Sequence, residues 1–151
     1  SIAVEAIRTM REFSAQCSTN TLWAFAPFFF THVPLMEAIA SEARPKISHY
    51  ASQSLTNTVW SLANLMFRDR PLLNSISAES IPKLSVFRAQ ELAMTAWSLA
   101  ALVYLDRPLL KAISSESLPR IREFDKQELC SSAWACSSLS IRDRPLRDAI
   151  A

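Results

Sequence analysis

The chain has 151 residues, no glycine and a formal net charge of +2, and half of its residues are hydrophobic. Sheets joined by tight hairpins almost always use glycine in their turns, so this composition argues against an all-β fold. The weak charge neither indicates nor excludes binding to nucleic acid. The three cysteines have no framework spacing, which indicates a reducing compartment.

Tryptophan, glutamine and proline recur at a fixed interval of 37 residues, without insertion or deletion. The recurring residues are Trp23, Trp60, Trp97 and Trp134; Gln16, Gln53, Gln90 and Gln127; and Pro34, Pro71, Pro108 and Pro145. A period of this size is typical of a solenoid. We therefore predict an all-α fold, a right-handed α-solenoid of stacked helix-turn-helix repeats.

The repeat divides the chain into units of one solenoid and not into separate domains. The units are 1–12 (the end of a preceding unit), 13–49, 50–86, 87–123 and 124–151 (a partial unit). Both ends fall inside a unit, so we interpret the chain as a fragment of a longer array, with any targeting segment upstream. The longest uncharged run, 13–36, is too polar and too interrupted by proline to span a membrane.

Each unit should contain a helix A and a helix B. Residues 1–12 match the B helix of the next unit. Ser14 is a good N-cap, so the first A helix is expected from about Ala15, and Pro27 should bend or end it early. The run Phe28, Phe29 and Phe30 is either an apolar docking patch or a rearranged helix end packed on the preceding unit; the second interpretation is favoured.

The later units repeat this plan with clearer boundaries. Asp125 followed by Glu128 predicts a capping box. Helix A should end near Asp69 and its repeats Asp106 and Asp143. Either this aspartate caps helix B or the following proline takes its first position, and the restriction on residues before proline favours the proline. Further prolines at Pro45, Pro82 and Pro119 predict a kink in helix B or two short helices in series.

Helix A carries two apolar faces and a third, uncharged one. In the third unit the third face contains Gln90, Met94, Ser98 and Ala101. Such a face either lines a concave surface or packs closely on another helix. The recurring tryptophan is embedded among apolar residues, so we expect it in the core and not as a stacking platform. The recurring glutamine is expected to form hydrogen bonds at the helix start.

The pattern F-x-x-Q-x-L-x-x-T-x-W-x-L-A, which starts at Phe87, resembles the octotricopeptide and heptatricopeptide repeats, and also the repeat region of proteins that end in a RAP domain. The resemblance covers the whole chain, although no RAP domain lies within it. It implies an α-solenoid in a mitochondrion or plastid that binds single-stranded organellar RNA or rRNA during RNA maturation, translation or ribosome assembly.

A repeat protein of this kind reads about one base per unit, through side chains that recur and vary. The base-contact candidates are Asn20, Asn57, Met94 and Ser131. Their alternative role is polar packing in the first turns of helix A. The phosphate-contact candidates are Lys46, Lys83 and Arg120. A second cationic row, Arg70, Arg107 and Arg144, follows aspartates, which favours surface ion pairs.

The sequence offers no catalytic, metal or cofactor motif, so we expect a protein that is not an enzyme. The two histidines, His32 and His49, do not recur, and Cys130 and Cys136 have no zinc-site spacing. Two functions remain open. One is RNA binding; the other is a scaffold in a mitochondrial ribosome or membrane assembly, binding protein subunits partly through Phe28, Phe29 and Phe30.

Overall fold

The computed structural model describes residue 5 and residues 8–28 and 32–139, and helix is the only regular secondary structure in this part of the chain. Its seven α-helices are α1 (Ala15–Phe25), α2 (Val33–Ala43), α3 (Ser52–Asn64), α4 (Arg70–Ser80), α5 (Ala89–Ala101), α6 (Arg107–Ser117) and α7 (Lys126–Ser138). None of the helices described here is long and apolar enough to cross a membrane.

Two kinds of helix alternate along the chain. The A helices α1, α3, α5 and α7 and the B helices α2, α4 and α6 each begin 37 residues after the one before. Each A helix packs beside the next A helix, and each B helix contacts the next B helix. The expected all-helical fold is confirmed. Of the predicted leading helix, residues Met10–Glu12 form a 3₁₀ turn, and residues 1–4, 6 and 7 lie outside the described part.

Three of the A helices, α1, α5 and α7, have side-chain hydrogen bonds at their start, whereas α3, which follows Ala51, has none. The Ser14 hydroxyl accepts from the Cys17 amide at 3.1 Å, and Asp125 and Glu128 form a reciprocal capping box at 2.8 Å in each direction. Both caps were predicted. In α5 the Glu91 carboxylate accepts from the Arg88 amide at 2.9 Å. These bonds satisfy amide groups that have no partner within the helix.

The A helices end earlier than the predicted positions near Asp69 and Asp106. α3 ends at Asn64 and α5 at Ala101. After each helix the chain turns through a residue with left-handed backbone geometry, Met66 or Val103, whose φ is 51°. Two backbone bonds close each turn in the Schellman arrangement. The left-handed position of such a turn is usually glycine. Because this chain has no glycine, the sequence carried no signal for the end of the helix. α1 ends two positions earlier still, before Pro27, as predicted.

The B helices are capped by the residue that precedes the Arg-Pro step. Asp69 and Asp106 accept from the amides of Leu72 and Leu109 at 2.8 and 3.0 Å. The favoured alternative, in which proline takes the first helical position, is therefore wrong, because arginine occupies that position and adopts helical geometry. In α2, His32 replaces the aspartate, and its Nδ1 accepts from the Leu35 amide at 3.2 Å.

Each B segment consists of an α-helix followed by a short 3₁₀ helix, which is one of the two predicted alternatives. The α-helices stop at Ala43, Ser80 and Ser117, and 3₁₀ helices Arg44–His49, Ile81–Val86 and Leu118–Glu123 follow, each with proline at its second position. Proline lacks the amide that an α-helix needs there.

Small side chains separate neighbouring A helices. The hydroxyl groups of Thr19 and Thr58 lie 3.3 Å apart, and those of Thr56 and Thr95 lie 3.4 Å apart, all inside the interface. Ser98, expected on the third, uncharged face of helix A, is fully buried and donates to the Met94 carbonyl at 2.7 Å. Its burial agrees with the alternative in which this face packs closely on another helix.

Candidate nucleic-acid interface

One groove runs across all four A helices. We call it the A-helix groove; its volume is about 380 Å³, and its lining residues are Trp23, Trp60, Gln90, Ala93, Met94, Asp125, Gln127, Glu128 and Ser131. Residues four and seven positions apart lie on one helix face, so Gln90, Met94 and Trp97 are neighbours along α5. The same face recurs in each unit. The alternative that predicted a concave lining therefore describes these residues.

None of the four tryptophans is fully buried, which corrects the prediction that they lie in the core: Trp23 and Trp60 line this groove, and Trp60 and Trp97 pack against the edge of the core. The side chains of Trp23 and Trp134 are 53% and 47% exposed, and Trp60 and Trp97 are half-buried. The ring centroids of Trp97 and Trp134 are 6.2 Å apart, with 34° between the planes. Threonine hydroxyls meet inside the contacts between the first three A helices, whereas the rings of Trp97 and Trp134 face each other between α5 and α7.

The four base-contact candidates occupy the expected face. Met94 and Ser131 line the A-helix groove, and both are half-buried. Asn57 is half-buried and Asn20 exposed at the equivalent positions of α3 and α1, and Asn20 accepts from the Gln16 amide at 2.8 Å. Each candidate lies three residues before a tryptophan. A base held by one of these side chains would therefore be beside an indole face.

The recurring glutamines were expected to form hydrogen bonds at the helix start, and among them only the Gln16 side chain does so with a described residue. All four are exposed, and Gln53, Gln90 and Gln127 form no hydrogen bond with any described residue. Their amides are therefore available to a ligand, as donors and acceptors. The charged lining residues of the groove are two carboxylates, Asp125 and Glu128. This neutral to acidic surface suits the edges and faces of bases better than phosphates.

The three phosphate-contact candidates are held by the protein itself. Each forms an ion pair with a glutamate four residues earlier, and each donates to a backbone carbonyl 33 residues earlier. The glutamates are Glu42, Glu79 and Glu116, at 3.5, 2.6 and 3.6 Å, and the carbonyls belong to Phe13, Tyr50 and Phe87, at 3.0, 3.1 and 2.8 Å. The cations thus tie the end of each B segment to the start of its own A helix. Phosphate contact by Lys46, Lys83 and Arg120 stays a prediction, but this geometry favours a structural role.

Replacing Lys83 by methionine should lower the free energy of unfolding by about 1–2 kcal/mol. The change keeps the aliphatic stem and removes the ion pair with Glu79 and the bonds to the Ser48 and Tyr50 carbonyls. Urea unfolding followed by circular dichroism measures it. Lys111→Met is the control, because Lys111 is exposed and has no ion pair with a described residue. Equal effects of the two changes would contradict the structural role.

The surface ion pairs predicted for the arginines at the A–B turns are not formed. Asp69 and Asp106 direct their carboxylates to helix amides, and neither Arg70 nor Arg107 forms a salt bridge with any residue in the described part. Arg144 lies outside the described residues. The ion pairs expected in this row are formed instead by the other cationic row, Lys46, Lys83 and Arg120. The spacing of four residues between Glu79 and Lys83 was the sequence signal for their ion pair, since residues four apart are neighbours on a helix surface.

Other predicted features cannot be placed at this surface. Phe29, Phe30 and the side chain of Phe28 lie outside the described part, so the docking patch stays a prediction. Among the described residues, no group of histidine, cysteine and acidic side chains could hold a metal ion.

The family comparison agrees with an RNA-related role. A sequence profile of the RNA-editing substrate-binding complex 6 proteins matches residues 1–144. No curated protein sequence matches the chain. The profile match supports the expected link to organellar RNA, but it does not identify the octotricopeptide or heptatricopeptide families, and it gives no support to a plastid or ribosome assignment. The chain belongs to the RNA-editing substrate-binding complex 6 protein family.

Proposed function

We propose that this chain is an RNA-binding helical-repeat segment that acts without catalysis in an RNA-editing substrate-binding complex. Its hairpins would stack as a right-handed solenoid of the octotricopeptide or heptatricopeptide kind, and single-stranded RNA would lie along the A helices. The observation that carries the proposal is the A-helix groove, where the tryptophans of the first two units and the variable residues Met94 and Ser131 of the next two line one surface. The family supports RNA and protein partners, and a mitochondrial and not a plastid location.

Base stacking would supply affinity, and contacts with base edges would supply sequence selectivity. An aromatic ring binds every base through its π-face and so supplies affinity without sequence preference. The side chain three residues earlier differs among units, being asparagine in the first two, Met94 in the third and Ser131 in the fourth. Amide and hydroxyl groups can form hydrogen bonds with base edges, whereas methionine offers mainly apolar contact. The third unit should therefore be the least selective.

Replacing Met94 by asparagine should give the third unit a base preference. Because Met94 lines the A-helix groove, the new amide can form hydrogen bonds with one base edge. Selection from a random RNA pool should then yield a sequence altered at one position, with about tenfold discrimination there. Ser115→Asn adds the same amide to the exposed surface of α6 and should change nothing. The proposed function fails if the unaltered chain retains no RNA at low salt, where electrostatic attraction is strongest.

A further inference from the structure

A second groove lies where the second and third units turn from helix A to helix B. We call it the turn groove; its volume is about 690 Å³, and its lining residues are Arg68, Arg70, Asn74, Val103, Tyr104, Leu105, Asp106, Arg107 and Pro108. It begins directly after the end of α5. Met94, in the A-helix groove, precedes Val103 by nine residues, or about 14 Å of rise along the helix.

The turn groove carries an excess of positive charge. Three arginines, all exposed, face one carboxylate, that of Asp106, which accepts from the Leu109 amide as the cap of α6. No described acidic residue forms a salt bridge with Arg68, Arg70 or Arg107. Elsewhere in the described part, Lys46, Lys83 and Arg120 are matched with glutamates. The turn arginines are therefore cations available to an anionic ligand.

The wall between the arginines is fixed in place. The left-handed turn at Val103 is closed by a bond from the Tyr104 amide to the Leu99 carbonyl at 2.9 Å, and the Tyr104 hydroxyl donates to the Asn74 side chain. Burial, and then the charge of Asp106, raise the pKa of Tyr104, while the charge of Arg70 opposes them. The phenol is thus neutral at physiological pH, and its ring forms a fixed apolar wall beside the cations.

We propose that the turn groove binds the phosphate backbone of the single-stranded RNA whose bases occupy the A-helix groove. The inference rests on the proposed function. A guanidinium group binds phosphate oxygens through two parallel hydrogen bonds, a geometry that lysine cannot supply. The carboxylates of Asp125 and Glu128 disfavour phosphates in the A-helix groove, so the phosphates of neighbouring nucleotides on the same strand are better held at a cationic site outside it, and α5 connects the two grooves. The strand would cross α5 from one groove to the other.

The first test removes two of the turn arginines in a double variant, Arg70→Ala with Arg107→Ala. Binding of a random single-stranded RNA pool to the whole chain is measured over a series of salt concentrations. Each lost phosphate contact should reduce the slope of log K against log salt by about 0.7, so a reduction of about 1.4 is expected. The control removes the same charge from the 3₁₀ segments, through Arg44→Ala with Arg122→Ala, where both arginines are exposed. An unchanged slope in the turn variant overturns the inference, and so does an equal change in the control.

The gain test uses the first unit, which lacks this arginine. Val33 holds the first position of α2, as Arg70 does in α4, and its side chain is 47% exposed. Val33→Arg should therefore increase the salt slope by about 0.7. If the unaltered chain binds RNA but neither variant moves the slope, the turn groove is not the phosphate site although the proposed function stands. If the unaltered chain binds no RNA at low salt, both proposals fail.

Discussion

Replacing Trp23 and Trp134 together by alanine should weaken the binding of single-stranded RNA by about 30-fold or more. Stacking of a base on an aromatic side chain contributes about 1–3 kcal/mol, so two lost platforms remove about 2–6 kcal/mol. These two rings are the most exposed of the four, at 53% and 47%. Fluorescence anisotropy with a labelled RNA pool at one salt concentration measures the change.

The matched control for this pair removes exposed apolar side chains that lie outside the A helices. Met66→Ala with Val86→Ala does so, because the two side chains are 84% and 68% exposed. The control should alter the dissociation constant less than twofold. The far-ultraviolet circular dichroism of both double variants should match that of the unaltered chain, because none of the four side chains is fully buried. A loss of less than twofold in the tryptophan variant would contradict the stacking role.

Replacing Phe87 by alanine should lower the free energy of unfolding by about 3–5 kcal/mol. The Phe87 side chain is 1% exposed and lies in the main core cluster, just before α5. Truncating a buried phenylalanine removes its transfer free energy and leaves a cavity. The Phe87 carbonyl, which accepts from Arg120 at 2.8 Å, is kept by the change, so the effect isolates the ring. Urea unfolding followed by circular dichroism gives the value.

Leu105→Ala is the comparison for the core variant, because Leu105 is 49% exposed. It should lower the free energy of unfolding by less than about 1 kcal/mol, since half of its surface already contacts water. If Phe87→Ala costs no more than this, the ring does not hold the third unit together and the described core is wrong. A large loss would show that the residue before each A helix, repeated as Tyr50 and Phe124, is a core position.

The sequence predicted the helices well because their signals are local. A fixed period gave the spacing of the helix starts, and the caps at Ser14 and Asp125 follow from residue types that accept amide hydrogen bonds. The helix ends were missed for a physical reason. A left-handed turn usually needs glycine, and here Met66 and Val103 adopt it without glycine, so no residue type marked the end of helix A.

The candidate site was only partly predictable, because it depends on which face the helices pack together. Hydrophobicity suggested that tryptophan is buried, but Trp23 and Trp134 are about half exposed, whereas the smaller Thr58 and Ser98 are fully buried. The spacing of three residues between Met94 and Trp97 would have placed the indole ring on the same helix face as the base-contact candidate Met94. Charge pairing was misread because an aspartate adjacent to each turn arginine suggested an ion pair there, whereas the pair that forms joins Lys83 to Glu79, one helical turn away.

Ultraviolet crosslinking of bound RNA, followed by mass spectrometry of the attached peptides, tests the central claim most directly. If single-stranded RNA lies along the A helices, the adducts should fall in α1, α3, α5 and α7, at or beside the tryptophans and the residues three positions before them. The turn segment that follows α5 should also be labelled. Adducts confined to the B helices α2, α4 and α6, or no adducts at low salt, would contradict the account.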